Sequence, residues 1–193
     1  MKASVILKSS LIAIFAVVLT ATFLWLTKLD SKNDLDRMAS ASDISDAKGL
    51  LLTKNYSECV DKLKYSDFES DSDIAQANNV LGQCNYALKD YASALEHFER
   101  TESLLKDKKQ LSSLQNLMAN TYRDMGEKNQ AAIYYQKALD NNPANQQASI
   151  NYSYSLLAEG DKINAQNVIN EAMLISPNNE ELIKIKLSIE NGA

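Results

Sequence analysis

Only two prolines and five glycines occur among the 193 residues. That is too little turn chemistry for a fold of many short strands, whereas Ala, Leu, Lys, Gln and Glu are plentiful helix formers. The single histidine, His97, excludes a His-pair metal site and leaves little basis for a Ser-His-Asp arrangement. Placed next to Phe98, it reads as solvated helix surface. The two cysteines, Cys59 and Cys84, are 25 residues apart, which fits neither a zinc ribbon nor a redox C-x-x-C. A glycine-rich phosphate loop is absent, and Gly82 in VLGQC reads as helix packing. The many carboxylates are scattered rather than paired for acid/base work. These absences predict a chain that is not an enzyme and uses no cofactor or metal.

Basic charge is also scarce. Lys2 and Lys8 precede a long apolar run, and the rest of the chain has 18 basic against 25 acidic side chains, net −7. A nucleic-acid footprint would need the opposite balance, and an anionic lipid surface is equally unsuited to this part. Protein partners are expected instead.

What the sequence does have is one stretch of 19 residues free of charge, SSLIAIFAVVLTATFLWLT, between Lys8 and Lys28. At about 1.5 Å per residue it reaches roughly 28 Å, close to the hydrocarbon thickness of a bilayer. The reading is a short cytoplasmic tail over 1–8, a transmembrane helix over 9–27 and a polar linker over 28–42. Trp25 near the far end suits an interfacial anchor. A cleaved signal peptide is the alternative, but Thr20-Ala21-Thr22 is followed by bulky Phe23, Leu24 and Trp25, a poor cleavage site. The first cysteine is Cys59, so a lipid-modified N-terminal cysteine is not available. Flanking basic charge nearly cancels, with Lys2 and Lys8 on one side and Lys28, Lys32 and Arg37 on the other. The short basic tail favours the amino terminus inside and the remainder exported.

Beyond the linker the sequence repeats itself. Gly126 and Gly160, Ala131 and Ala165, Tyr135 and Ile169, Ala138 and Ala172, and Pro143 and Pro177 are each 34 residues apart, and a period of that length decides a fold. An earlier copy has Leu81-Gly82, Tyr91, Ala94 and Phe98 as its landmarks and sits 37 residues upstream of the third, so the loop around Lys106–Lys109 holds three extra residues. A first, more degenerate copy aligns Ala47, Tyr56, Cys59 and Leu63. The turn glycine, the small residue, the large apolar residue, the second small residue and the closing proline resemble the tetratricopeptide-repeat (TPR) pattern.

The resemblance implies an all-α solenoid of helix-turn-helix repeats over 43–179, divided near 43–70, 75–108, 112–145 and 146–179. Small residues such as Gly82, Ala94, Ala119, Ala131, Ala165 and Ala172 would let helices approach. Leu81, Phe98, Tyr122, Tyr135, Leu156 and Ile169 would fill the core. A terminal repeat needs a cap, and residues 180–193 supply one, with Leu182, Ile185 and Ile189 on one face of a last helix.

In the TPR family the first helices of successive repeats line a groove that accepts a peptide segment or helix. Projected onto this chain, the lining is Asn79, Gln83 and Tyr86, then Asn116, Asn120 and Arg123, then Ile150, Tyr154 and Leu157. Amides can pair with any peptide backbone, and Arg123 alone among these positions is basic, so a charge clamp on a terminal carboxylate is not expected. Cys59 falls where TPR repeats place a small packing residue, and Cys84 lies on the next repeat's first helix. Two readings stay open: a disulfide stitching the first two repeats in an oxidising compartment, or two buried free thiols, the preferred one. The expectation for the whole is a membrane-anchored scaffold of a bacterial envelope system (secretion, pilus or polysaccharide export) with its repeats in the periplasm. A soluble periplasmic peptide-binding protein and an accessory subunit completing an enzyme are the alternatives.

Overall fold

The computed structural model describes residues 41–191 together with Thr22, Lys28 and Met38. Residues 43–193 form one compact unit, and residues 1–42 cluster separately. The expected tail over 1–8 and the transmembrane helix over 9–27 lie outside the described residues, Thr22 apart. Among the described residues no helix is long and apolar enough to cross a membrane.

The second unit is helical throughout its described length. After α1 (described over residues 41–52) come α2 (Tyr56–Lys64), α3 (Asp71–Ala87), α4 (Tyr91–Leu104), α5 (Lys108–Met125), α6 (Lys128–Asn141), α7 (Gln146–Ala158), α8 (Lys162–Ile175) and α9 (Glu180–Glu190). Local chemistry sets these boundaries. Ser70 caps α3 by accepting from the Asp73 backbone N–H at 3.0 Å, so that helix starts at Asp71, ahead of residue 75. Asp107 accepts from Gln110 N–H at 2.9 Å, which starts α5 at Lys108, ahead of residue 112. Asp90, Asn145, Asp161 and Asn179 cap α4, α7, α8 and α9 in the same way, each satisfying a backbone donor the helix leaves open.

Adjacent helices pack as antiparallel hairpins through small residues. Ala94, Ala119, Ala131, Ala138, Ala148 and Ala165 are wholly buried. Phe98, Tyr135 and Ile169 occupy equivalent places in α4, α6 and α8 and are also buried. Gly82 is required rather than tolerated: a Cβ there would lie 2.4 Å from Phe98 Cε1. Met118 is fully buried beside Phe98 and Leu114, while Tyr122 is only half-buried. At the far end Leu182 and Ile185 of α9 close the core against Ile150, Leu157 and Ile169.

Cys59 on α2 and Cys84 on α3 are joined, with an S–S distance of 2.06 Å and Cα atoms 6.5 Å apart. This replaces the preferred reading of two free thiols. Both residues are fully buried and share a cluster with Ile44, Ala47, Leu63, Ala77, Val80 and Leu81. The hairpin packing of α2 on α3 brings them together across 25 residues of sequence.

Candidate partner-binding groove

The first helices of the repeats lie side by side: α5 approaches α3 and α7, and α7 approaches α9. Their second helices do not follow suit, for α4 comes close to neither α2 nor α6. The hairpins therefore fan, with α3, α5, α7 and α9 on the crowded side. The open stripe of that side comprises Gln76, Asn79 and Gln83 on α3, Gln110, Ser113 and Leu117 on α5, and Gln147 and Tyr154 on α7.

Of the nine residues expected to line a groove, the structure leaves Asn79 and Gln83 half-open, with Gln83 Nε2 donating to Asn79 Oδ1 at 3.3 Å. Tyr154 is the most open, at 47 %. The others are more deeply committed. Asn116 is 6 % exposed and accepts from Asn151 Nδ2 at 3.1 Å, so it holds α7 to α5 rather than facing a partner. Asn120 Oδ1 accepts from the Tyr135 hydroxyl at 2.6 Å. Arg123 donates through Nε to Asp124 Oδ1 at 2.9 Å and lies near Tyr135. Ile150 and Leu157 pack in part against the core beneath α9.

Two tyrosines act as struts between neighbouring first helices. The Tyr86 hydroxyl donates to Asp124 Oδ2 at 2.5 Å, joining α3 to α5, and the Tyr154 hydroxyl donates to Glu181 Oε1 at 2.5 Å, joining α7 to α9. Burial, with the Asp124 carboxylate beside it, pushes Tyr86 up to about 12, so it stays a neutral donor throughout the physiological range. Between α5 and α7 the Asn151–Asn116 pair does the same work.

Where the sequence carries three extra residues, the groove deepens. A cavity of about 680 Å³ opens between the start of α3, the end of α4 and the start of α5, with Gln76, Asn79, Leu105, Gln110, Ser113 and Leu117 among its walls. Within the projected set only Asn79 reaches it. Gln76, Gln110 and Leu117 escaped the projection because it took one stripe per helix and did not follow the widened α4–α5 connection. The spacing of 37 in place of 34 was the signal that could have found them.

A family profile described as tetratricopeptide repeat matches residues 73–144. Over that stretch the chain is similar to tetratricopeptide repeats. Its all-α solenoid fold is TPR-like, similar to that of several solved structures. The APC/C hetero-tetramer Cut9–Hcn1 superposes with a TM-score of 0.65 at 16 % identity, over 78 % of this chain and 29 % of that one, so this chain spans less than a third of that relative. MamA superposes with a TM-score of 0.60 at 18 % identity, over 69 % of this chain and 76 % of that one. The Arabidopsis OM64 TPR domain gives 0.55 at 13 % identity, over 64 % of this chain and all of that one. No curated protein sequence matches.

TPR domains are generally non-catalytic and bind protein partners. Among the described residues no three His, Cys, Asp or Glu side chains are grouped to hold a metal. His97 is not the solvated surface residue expected from the sequence: it is half-buried, and its Nδ1 lies 2.8 Å from Asn78 Oδ1.

Proposed function

We propose that this TPR chain is a membrane-anchored scaffold of a bacterial envelope system, such as secretion, pilus or polysaccharide export machinery, and that its first-helix groove holds a peptide segment or helix of another subunit. The observation that carries the reading is the open, nearly uncharged stripe along α3, α5 and α7. Gln76, Asn79, Gln83 and Gln110 offer both donors and acceptors, while Leu117 and Tyr154 offer apolar area. Such a lining suits the backbone of an extended partner whatever its sequence.

Two features support a periplasmic setting. The apolar run over 9–27 in the sequence is long enough to span a bilayer, and a buried disulfide belongs to oxidising compartments. Retention of Trp25 in the intact mass of the mature protein, together with membrane association resistant to alkali, is expected. Loss of the first residues through Trp25 would instead favour the soluble periplasmic alternative.

Photo-crosslinking in cells tests the groove. A photoreactive residue at Gln83 or Tyr154 is expected to trap the same protein, and one at Asn167 on the exposed side of α8 is expected to trap none. Equal labelling from all three positions would sink the groove reading.

A further inference from the structure

The opposite side of the first two repeats holds a cleft of about 450 Å³ that the groove does not use. Its floor is α3, through Asn78 and Asn85, and its walls are α2, through Lys64, and α4, through His97 and Arg100. The volume lies toward the small end of ligand pockets and suits one side chain better than a helix. Asn85 is only 7 % exposed. It lines the cleft, and none of the hydrogen bonds of the described residues uses its side-chain amide. No buried side-chain polar atom of the described residues lacks a partner, so the Asn85 amide keeps its small exposure toward the cleft, where it is free to meet a polar group.

His97 is set for the same task. Asn78 Nδ2 donates to the Ile74 carbonyl at 2.8 Å, which presents its Oδ1 to the imidazole. At 2.8 Å from that oxygen, Nδ1 must carry the hydrogen, so Nε2 is left as an acceptor in the neutral ring. Burial holds His97 below its usual 6.5.

The repeat itself provides the comparison. Asn85 and His97 each precede Tyr122 and Tyr134 by 37 residues, the offset between these two copies. One repeat on, those two tyrosine rings stack, centroids 5.3 Å apart and planes at 26°. Lys137 Nζ sits 4.4 Å over the Tyr134 ring. Arg100 is the counterpart of Lys137. The corresponding cleft is therefore filled from within by phenol rings under a cation. In the earlier copy the cation is kept, both rings are gone, and an unused amide and an imidazole acceptor stand in their place.

We propose that the cleft between α2 and α4 is a binding site for a tyrosine side chain of a partner protein, its ring occupying the space that Tyr122 and Tyr134 fill in the next repeat. The hydroxyl accepts from the Asn85 amide and donates to His97 Nε2. The ring face is open to Arg100 as that of Tyr134 is to Lys137. This site is separate from the groove and stands or falls independently of it.

The test uses the full chain with N-acetyl-tyrosinamide as probe and the phenylalanine and leucine amides as controls, followed by NMR of the Asn85 side-chain amide and the His97 ring. Saturable shifts at both are expected with the tyrosine probe, at least threefold weaker affinity with phenylalanine, and none with leucine. Asn85→Tyr/His97→Tyr, which copies the neighbouring repeat's plug, is expected to abolish binding without lowering Tm. Should that variant fail to fold, Asn85→Leu is expected to weaken tyrosine to the level of phenylalanine. Shifts that never saturate, that are equal for leucine, or that survive in a folded plugged variant overturn the proposal.

Discussion

At the scale of single residues, two side chains carry consequences that can be measured. Gly82 meets the ring of Phe98, whose own position is fixed by complete burial. A methyl group at 82 must displace that ring or part α3 from α4, and overpacking of this kind costs about 1–3 kcal/mol. Gly82→Ala is expected to lower stability by that amount in urea unfolding, and Gly82→Ala with Phe98→Leu to recover part of it. His97 sets a pH dependence. Its burial lowers the folded pKa from 6.5, so between that lowered value and 6.5 the unfolded chain binds more protons than the folded one. Stability is therefore full above 6.5 and falls as the pH drops through that window. Tm measured from pH 8 to pH 5 is expected to fall more steeply for the native chain than for His97→Gln. The histidine was misread because a lone ring beside Phe98 gives no hint of Asn78, which lies 19 residues away and reaches it only when α3 and α4 pair. Asn116 is a similar case: helical spacing locates a face, but not the neighbour, Asn151, that covers it.

At the scale of elements, the hairpin turns were the most legible feature because their chemistry is local. Each repeat ends its first helix the same way. A residue one or two places past the helix has positive φ, 64° at Lys54 and Lys89, 84° at Gly126 and 82° at Gly160. In each the following N–H reaches back to a carbonyl five residues earlier: Asn55 to Leu50, Asp90 to Asn85, Glu127 to Tyr122 and Asp161 to Leu156, all at 2.9 Å. The last two repeats were read from their glycines, and the first two were harder to read because lysine stands at that place. A left-handed conformation costs a residue with a Cβ about 1 kcal/mol, whereas glycine adopts it freely. Lys54→Gly and Lys89→Gly are thus each expected to stabilise the fold by about 1 kcal/mol, a rise of roughly 3 °C in a domain of this size. Gly126→Ala and Gly160→Ala are expected to do the reverse. Unchanged melting in all four would mean that the turns contribute nothing to stability.

At the scale of the whole repeat unit, what the sequence could not convey is how unequally the repeats are held. The third is sealed by wholly buried Ala119, Ala131 and Tyr135, and the fourth is closed by α9. The first has a second helix of only nine residues, and Lys62 ties it to α1 through Asp43 at 2.9 Å and Asp46 at 3.2 Å. Those ion pairs are partly exposed and contribute little. The disulfide compensates: it ties α2 to α3, and closing a loop of 25 residues removes enough unfolded-chain entropy to stabilise by about 3 kcal/mol. In a solenoid, where each repeat leans only on its neighbours, that loss falls where the bond is. Reduction, or Cys59→Ala with Cys84→Ala, is expected to expose the amides of α1 and α2 to hydrogen exchange while those of α5–α8 keep their protection. If protection falls evenly along the chain instead, the repeats unfold as one cooperative body and the bond stabilises all of them alike.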